Sequence, residues 1–326
     1  KNPVQTLAGD NPAFLVAARL SPSGNPGVVV VNRQLVLSTR AANTVSVLFP
    51  DPAVPGGFKT PVALPVGARN PQGAAVGDLD GDTFPDVVVA ADGAGTLLLF
   101  TQQAPGGTFA APAALEVGGE PTAAAIADLN GDGLPDIVAT SGNVVSVLLQ
   151  DSAHPGTYLP RVDYGVGPHP VAVAVADLDG DGRPDLAVAN SGTSLAPTTQ
   201  GVSVLLQGAQ AGTFQAAVTY DTGDSYASSV AVGDLDGDGR PDLAVAEAGL
   251  PGYPGSVAVL TQDPAAAGAF KAAVRYGGVQ GPGSVAIADI DGDGLKDLVI
   301  GDGALFVRFQ ITGRPGVFGP PAQFRQ

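Results

Sequence analysis

Residues 177–185 have the sequence Asp-Leu-Asp-Gly-Asp-Gly-Arg-Pro-Asp, which places carboxylates at positions 1, 3, 5 and 9 of a nine-residue loop. These carboxylates can converge on one point only if the backbone curls tightly. The glycines at positions 4 and 6 allow the curl because they reach positive φ without a steric penalty. Hard oxygen ligands, with room for a backbone carbonyl at position 7 and for water, indicate a calcium site. Short runs rich in valine and alanine flank the loop, so we expect it to connect two strands of a β-hairpin.

The same nonapeptide occurs five times, at intervals of 50, 49, 57 and 55 residues. Regular self-similarity predicts a repeat architecture with one supersecondary unit in each repeat. An EF-hand loop begins similarly but ends in glutamate at position 12, and these loops do not. The predicted metal ligands, at positions 1, 3, 5 and 9 of the five loops, are Asp78, Asp80, Asp82, Asp86, Asp128, Asn130, Asp132, Asp136, Asp177, Asp179, Asp181, Asp185, Asp234, Asp236, Asp238, Asp242, Asp289, Asp291, Asp293 and Asp297.

A sixth repeat lies at the start of the chain. Residues 18–32 align without a gap with the residues around the loop at 177–185, but Arg19, Ser21, Ser23 and Gly27 stand at the ligand positions. We therefore expect about five structural calcium ions per chain, with none in this first repeat.

Four strand-like runs are found in each repeat, for example Val171–Ala176, Leu186–Ala189, Gly201–Gln207 and Phe214–Tyr220. An aromatic residue opens the fourth run, and we expect it to pack between neighbouring sheets. Four antiparallel strands repeated radially make a β-propeller. Six repeats of about 54 residues account for the chain, so the prediction is an all-β, six-bladed β-propeller of four-stranded antiparallel blades. Seven blades is the less favoured alternative, since it would need blades of about 47 residues.

The net charge of −16 is concentrated in the loops, which hold 19 of the 31 acidic residues and leave 12 facing 15 lysines and arginines. The balance argues against a nucleic-acid partner. The apolar runs are too short to span a bilayer, and the absence of cysteine excludes disulfides. Exposed calcium sites of this kind need roughly 10⁻⁴ to 10⁻³ M calcium. We therefore expect an extracellular, cell-surface or periplasmic location, with a signal peptide removed before Lys1.

These motifs resemble the FG-GAP/VCBS repeat family, which includes the propeller of integrin α-subunits, and the resemblance covers residues 1–326 as a single propeller domain. It implies that calcium lies in the hairpin between the first and second strands of a blade, with position 7 giving its carbonyl. Two departures occur: Asn130 keeps an oxygen but lowers the charge, and Thr83 replaces the glycine at position 6. The family includes adhesion proteins, lectins and lyases, so the resemblance does not supply the function.

Candidates for ligand binding are expected in the loops at the opposite ends of the strands, because those loops vary in length and loops carry function on rigid scaffolds. The predicted ligand-binding residues are Glu120, His169, Asn190, Tyr226 and Tyr253. Tyrosine, asparagine, histidine and glutamate suit stacking on and hydrogen bonding to a glycan or a peptide. No Gly-x-Ser-x-Gly, phosphate loop or His-x-x-x-His motif is found in the sequence.

The favoured function is a secreted or cell-surface, calcium-stabilised binding or adhesion propeller that recognises a glycan or an extracellular protein. The alternatives are an extracellular polysaccharide lyase or hydrolase, in which His169 would supply a base, and a structural spacer within a larger surface protein. The shortage of candidate catalytic bases makes an enzyme the less favoured class.

Overall fold

The computed structural model describes residues 12–20, 26–32, 43–67, 70–92, 95–104, 106–192, 201–223, 226–249 and 254–324. Within these residues the chain forms 26 strands and no helix. Six antiparallel sheets of four strands make the six-bladed β-propeller that the repeats predict, and the seven-blade alternative is wrong. In the described part of the chain, no helix has the length and hydropathy needed to cross a membrane.

The blades follow one another along the chain. Blades one and two contain β1 (Pro12–Arg19), β2 (Pro26–Asn32), β3 (Thr44–Leu48) and β4 (Val62–Pro65), then β5 (Asn70–Gly77), β6 (Asp86–Asp92), β7 (Thr96–Phe100) and β10 (Ala113–Glu116). The short strands β8 (Gln102–Gln103) and β9 (Thr108–Phe109) pair with each other beside blade two. Blades three and four contain β11 (Pro121–Ala127), β12 (Asp136–Ser141), β13 (Val144–Leu148) and β14 (Val162–Gly165), then β15 (Pro170–Ala176), β16 (Asp185–Asn190), β17 (Gly201–Leu205) and β18 (Val218–Tyr220). Blades five and six contain β19 (Tyr226–Gly233), β20 (Asp242–Ala248), β21 (Ser256–Leu260) and β22 (Val274–Tyr276), then β23 (Ser284–Ala288), β24 (Asp297–Gly301), β25 (Leu305–Arg308) and β26 (Ala322–Phe324).

The degenerate first repeat forms a complete four-stranded blade, as the alignment predicts. Two compact units are distinguished by the density of contacts along the chain. One comprises Lys1–Asp128, Asp132–Ser141 and Ser146–Val162, and the other comprises Leu129–Gly131, Gly142–Val145 and Asp163–Gln326.

The second and third strands of each blade supply most of the core. Every residue of β16 and β17 is buried, and most of them are valine, leucine or alanine. Continuous apolar runs are typical of strands covered on both faces. Accordingly, the apolar clusters lie between successive sheets: one joins blades one and two, and another joins blades four and five.

Three of the recurring aromatic residues, Phe214, Phe270 and Phe318, belong to the core, as predicted, but they do not open the fourth strand. Phe214 forms an isolated bridge with Gln207, and β18 begins only at Val218. The ring of Phe270 meets Tyr220 of the preceding blade edge-on, with the centroids 5.6 Å apart. Edge-to-face aromatic pairs stabilise packing beyond their buried area, so these rings join one blade to the next.

Candidate metal centres

Each of the five acidic loops (78–86, 128–136, 177–185, 234–242 and 289–297) connects the first and second strands of its blade, as predicted. The carboxylate at position 1 holds the curl. In the loop at 177–185, Asp177 Oδ1 accepts a hydrogen bond from Gly180 N at 2.7 Å, and its Oδ2 accepts one from Gly182 N at 2.8 Å. The bond to the N–H of position 6 is found in all five loops, at 2.8–3.0 Å. Both oxygens of position 1 therefore shape the loop.

Positive φ is required at positions 4 and 6, as the glycine pattern predicts. Gly180 and Gly182 have φ values of 78° and 85°. Thr83, at position 6 of the second blade's loop, has a φ of 75°. A β-branched side chain in the left-handed region carries conformational strain, so this loop retains the shape of the others at a cost in energy.

Three carboxylates converge in four of the five loops, each with an oxygen within 4.8 Å of the other two. The groups are Asp78, Asp80 and Asp86; Asp177, Asp179 and Asp185; Asp234, Asp236 and Asp242; and Asp289, Asp291 and Asp297. They occupy positions 1, 3 and 9. In the remaining loop position 3 is Asn130, which offers an amide oxygen. Hard oxygen donors that converge from a tightly curled loop fit calcium.

The position-9 aspartate joins the loop to the core of its blade. Asp185 is 1% exposed. Its Oδ2 accepts a hydrogen bond from Leu178 N at 2.8 Å, and its Oδ1 accepts one from Gln207 N at 2.6 Å. A carboxylate has about four lone-pair positions, so each oxygen retains capacity for a cation.

The position-5 aspartate is not part of the groups of three converging carboxylates in the described loops. In every loop one of its oxygens accepts a hydrogen bond from the N–H of position 7, at 2.8–2.9 Å. In blade four its second oxygen also accepts from Arg183, whose Nε lies 2.8 Å from Asp181 Oδ2. Arg240 forms the same pair with Asp238 in blade five. The structure therefore groups three of the four predicted ligand positions.

Burial, and to a smaller extent the crowding of acidic groups, raises the pKa of several of these aspartates. Burial raises the pKa of Asp86 and of Asp242 to about 6. Burial also raises the pKa of the position-3 carboxylates Asp80, Asp179 and Asp236, and the charges of neighbouring aspartates raise it further. Desolvation and like charges both disfavour the ionised form, so a cation among these oxygens would relieve the cost of ionising them.

The first blade lacks the aspartate at position 9 of its loop. Gly27 replaces the position-9 aspartate, and a Cβ atom there would lie 2.4 Å from Leu20 Cδ1 and 2.6 Å from Leu48 O. Neighbouring groups therefore occupy the space that the carboxylate takes in the other blades. The expectation that the first repeat holds no metal stays a prediction, since Ser21 and Ser23 lie outside the described residues.

A glutamine at the end of the third strand was missed by the sequence reasoning. Gln102, Gln150, Gln207, Gln262 and Gln310 are 1–7% exposed, and the backbone N–H of each donates to the position-9 aspartate of its own blade. We call them the bridging glutamines. Their recurrence at one place in the repeat was the available signal.

Four of the five predicted ligand-binding residues lie at the ends of the strands opposite the acidic loops: Glu120, His169, Asn190 and Tyr226. Glu120 and His169 are exposed, and each directly precedes the first strand of a blade. Tyr226 is half-buried and is the first residue of β19. Tyr253 lies outside the described residues.

Asn190 is fully buried, and its Nδ2 donates to Ser203 Oγ at 2.9 Å and to Val188 O at 3.2 Å. The structure therefore assigns Asn190 to the framework of blade four. His169 has a φ of 53°, and its carbonyl accepts a hydrogen bond from Ser191 N at 2.9 Å. Non-glycine residues held in the left-handed region are often found at functional sites, so His169 is the stronger candidate of the two.

Family profiles match several of these repeats. The FG-GAP-like repeat matches residues 78–139 and 128–188, and the FG-GAP repeat matches residues 226–260. The chain therefore contains FG-GAP repeats, as its nonapeptides predict. Among curated protein sequences, none matches the chain.

Solved structures share the fold. A lectin of Agrocybe aegerita, described for its specific recognition of non-reducing terminal N-acetylglucosamine, has a TM-score of 0.57 and 20% identity, over 95% of this chain and 79% of the lectin chain. A protein from Lactobacillus plantarum has a TM-score of 0.61 and 16% identity, over 96% of this chain and 84% of that protein. At these identities the likeness shows the fold alone.

Proposed function

We propose that this chain of FG-GAP repeats is a secreted or cell-surface, calcium-stabilised propeller that binds a glycan or an extracellular protein, with residues 1–326 acting as one domain. The observation that carries the proposal is the convergence of three carboxylates in four equivalent loops. Five loops of constant length, each anchored by a buried aspartate, suit a structural metal. Variable loops at the opposite ends of the strands suit recognition.

Position 1 would hold the ion and shape the loop, and positions 3 and 9 would contribute further oxygens. Bound calcium supplies positive charge that offsets the repulsion among these carboxylates. Because the position-9 aspartate also accepts the N–H of a bridging glutamine, ordering the loop fixes the junction between the hairpin and the third strand. Exposed sites of this type fill at roughly 10⁻⁴ to 10⁻³ M calcium, which favours an extracellular or periplasmic location.

Recognition is assigned to the strand ends that carry Glu120, His169 and Tyr226, together with Tyr253, which lies outside the described residues. Glu120 and His169 are exposed and Tyr226 is half-buried, and such polar and aromatic side chains suit stacking and hydrogen bonding to a sugar. The N-acetylglucosamine named for the Agrocybe aegerita lectin supports including glycans that end in this sugar among the first ligands tested.

A glycan array probed with the full chain, in calcium and in EDTA, tests this function. We expect calcium-dependent binding that the double variant Tyr226→Ala/Tyr253→Ala abolishes while its melting temperature and calcium content stay unchanged. Leu159→Ala is the matched control, because Leu159 is 44% exposed and lies in the segment between β13 and β14. Binding that survives the double tyrosine replacement would contradict the assignment of the site.

A further inference from the structure

Each bridging glutamine contacts the loops of two neighbouring blades, and for every one except Gln102 both of these are acidic loops. In blade five, Gln262 is 2% exposed, and its Nε2 donates to Leu178 O at 2.6 Å and to Pro241 O at 3.2 Å. Leu178 is position 2 of the acidic loop in blade four, and Pro241 is position 8 of the acidic loop in blade five. A primary amide carries two N–H hydrogens, so this side chain uses both of them to hold two neighbouring loops.

The arrangement repeats in the other four glutamines. Across all five, the Nε2 atom lies 2.6–3.3 Å from the position-2 carbonyl oxygen of the preceding blade. It lies 2.9–3.2 Å from the position-8 carbonyl oxygen of its own blade. Position 8 is proline in four of these loops and Lys296 in the fifth, so the bond depends on the carbonyl and not on the residue type.

In the glutamines that join two acidic loops, both carbonyls belong to peptide groups that lead directly into candidate metal ligands. The position-2 carbonyl is part of the peptide that precedes position 3, and the position-8 carbonyl is part of the peptide that precedes position 9. The backbone N–H of Gln262 also donates to Asp242 Oδ1, at position 9, at 2.8 Å. One glutamine therefore orients peptides next to ligands in two blades and contacts a ligand of its own blade.

We propose that the four bridging glutamines that join two acidic loops are positioning residues that couple calcium binding between neighbouring blades: Gln150, Gln207, Gln262 and Gln310. The inference rests on the calcium sites proposed above. When an ion orders one loop, it fixes the position of the loop carbonyl that accepts from the glutamine amide. The same amide donates to a carbonyl of the adjacent loop, so fixing it favours the ion-binding shape of that loop as well. Such coupling is reciprocal by thermodynamic necessity. Groups that share one hydrogen-bond network typically interact strongly enough to change an affinity by about twofold to more than a hundredfold, and we expect a single shared amide to lie at the lower end of this range.

Hydrogen–deuterium exchange of the full chain, measured by mass spectrometry during a calcium titration, resolves the individual loops. Asp234→Asn removes one charge from the loop of blade five. We expect it to raise, by about two- to tenfold, the calcium concentration that half-protects the loops at 177–185 and 289–297. Gln262 joins the blade-five loop to the first of these loops, and Gln310 joins it to the second.

Adding Gln262→Met to Asp234→Asn should remove the effect on the loop at 177–185 and leave the effect on 289–297. Adding Gln310→Met should do the reverse. Gln280→Met is the control, because Gln280 is exposed and outside these contacts. If Gln262→Met does not fold, Gln262→Asn replaces it, since its amide is one methylene short of the two carbonyls.

Three results would overturn the coupling: no effect of Asp234→Asn on either neighbouring loop, coupling that survives the glutamine replacement, or simultaneous loss of both couplings. A general loss of stability would not produce the one-sided effect, so it is distinguished from coupling. If the unmodified chain shows no calcium-dependent protection in any loop, the proposed calcium sites themselves fail.

Discussion

Replacing Thr83 with glycine should stabilise the protein. Thr83 is exposed, has a φ of 75°, and stands where the other four acidic loops have glycine at φ values of 83–89°. Its backbone N–H donates to Asp78 Oδ2 at 2.8 Å, and glycine would keep this bond.

The expected gain is the difference between two terms. Holding a residue with a Cβ atom in the left-handed region costs roughly 1–2 kcal/mol. Glycine loses more backbone freedom on folding, which costs about 0.5–1 kcal/mol. The free energy of unfolding should therefore rise by about 0.5–1 kcal/mol, and calcium affinity at the loop at 78–86 should rise with it.

Urea unfolding at fixed calcium measures this change, and Gly182→Thr is the matched reverse substitution. A Cβ atom at Gly182 would meet nothing within 4 Å, so its cost comes from the backbone alone. We expect this variant to lose about as much stability as Thr83→Gly gains. A Thr83→Gly protein that is less stable than the parent, or a Gly182→Thr protein of unchanged stability, would refute the reasoning.

Three further predictions concern metal and charge. At a calcium concentration ten times the Kd, each bound ion adds about 1.4 kcal/mol to the free energy of unfolding, so five ions add roughly 7 kcal/mol. EDTA should therefore lower the melting temperature markedly. An unchanged melting temperature of the metal-free protein would contradict the structural role of calcium. In EDTA the free energy of unfolding should fall as pH rises from about 4 to about 6. Asp86 and Asp242 have pKa values of about 6 in the folded protein against an ordinary 3.8, so the folded state binds more protons in that window; a urea midpoint that is as high at pH 7 as at pH 5 would oppose this. Arg183→Leu should raise calcium affinity in its loop severalfold in a calorimetric titration, because it releases Asp181 Oδ2 and removes a positive charge, and leucine already stands at position 7 in another loop, as Leu295; unchanged affinity would show that the arginine does not compete with the ion.

Most of the fold could be predicted because its determinants are local and repeated. The nonapeptides, the apolar runs and their spacing specify hairpins and a blade count without any knowledge of long-range contacts. The start of the fourth strand was predicted too early in the sequence, because an aromatic residue such as Phe214 is typical of a strand. In the structure Phe214 forms an isolated bridge with Gln207 and packs against the neighbouring blade. Tertiary packing overrode a pattern that looked local.

The sequence predicted which residues make up the candidate metal centres, but it predicted less well which of their side chains converge. Spacing alone could not show that Asp181 pairs with Arg183, since that choice depends on side-chain directions within the curl. It also gave no reason to separate Asn190, which is buried in its blade, from the exposed His169. The role of Gln262 was missed because its side chain contacts Leu178, which lies 84 positions earlier in the sequence, and such a contact leaves no local pattern.

The most direct test of the central claim is the number of calcium ions bound by the full chain, measured by metal analysis after dialysis at millimolar calcium and located by anomalous scattering. We expect about five ions per chain, one in each acidic loop and none near residues 19–27; a count of four with the loop at 78–86 empty would still agree, since Thr83 strains that loop. A chain that binds no calcium, or that binds it away from the acidic loops, would contradict the account.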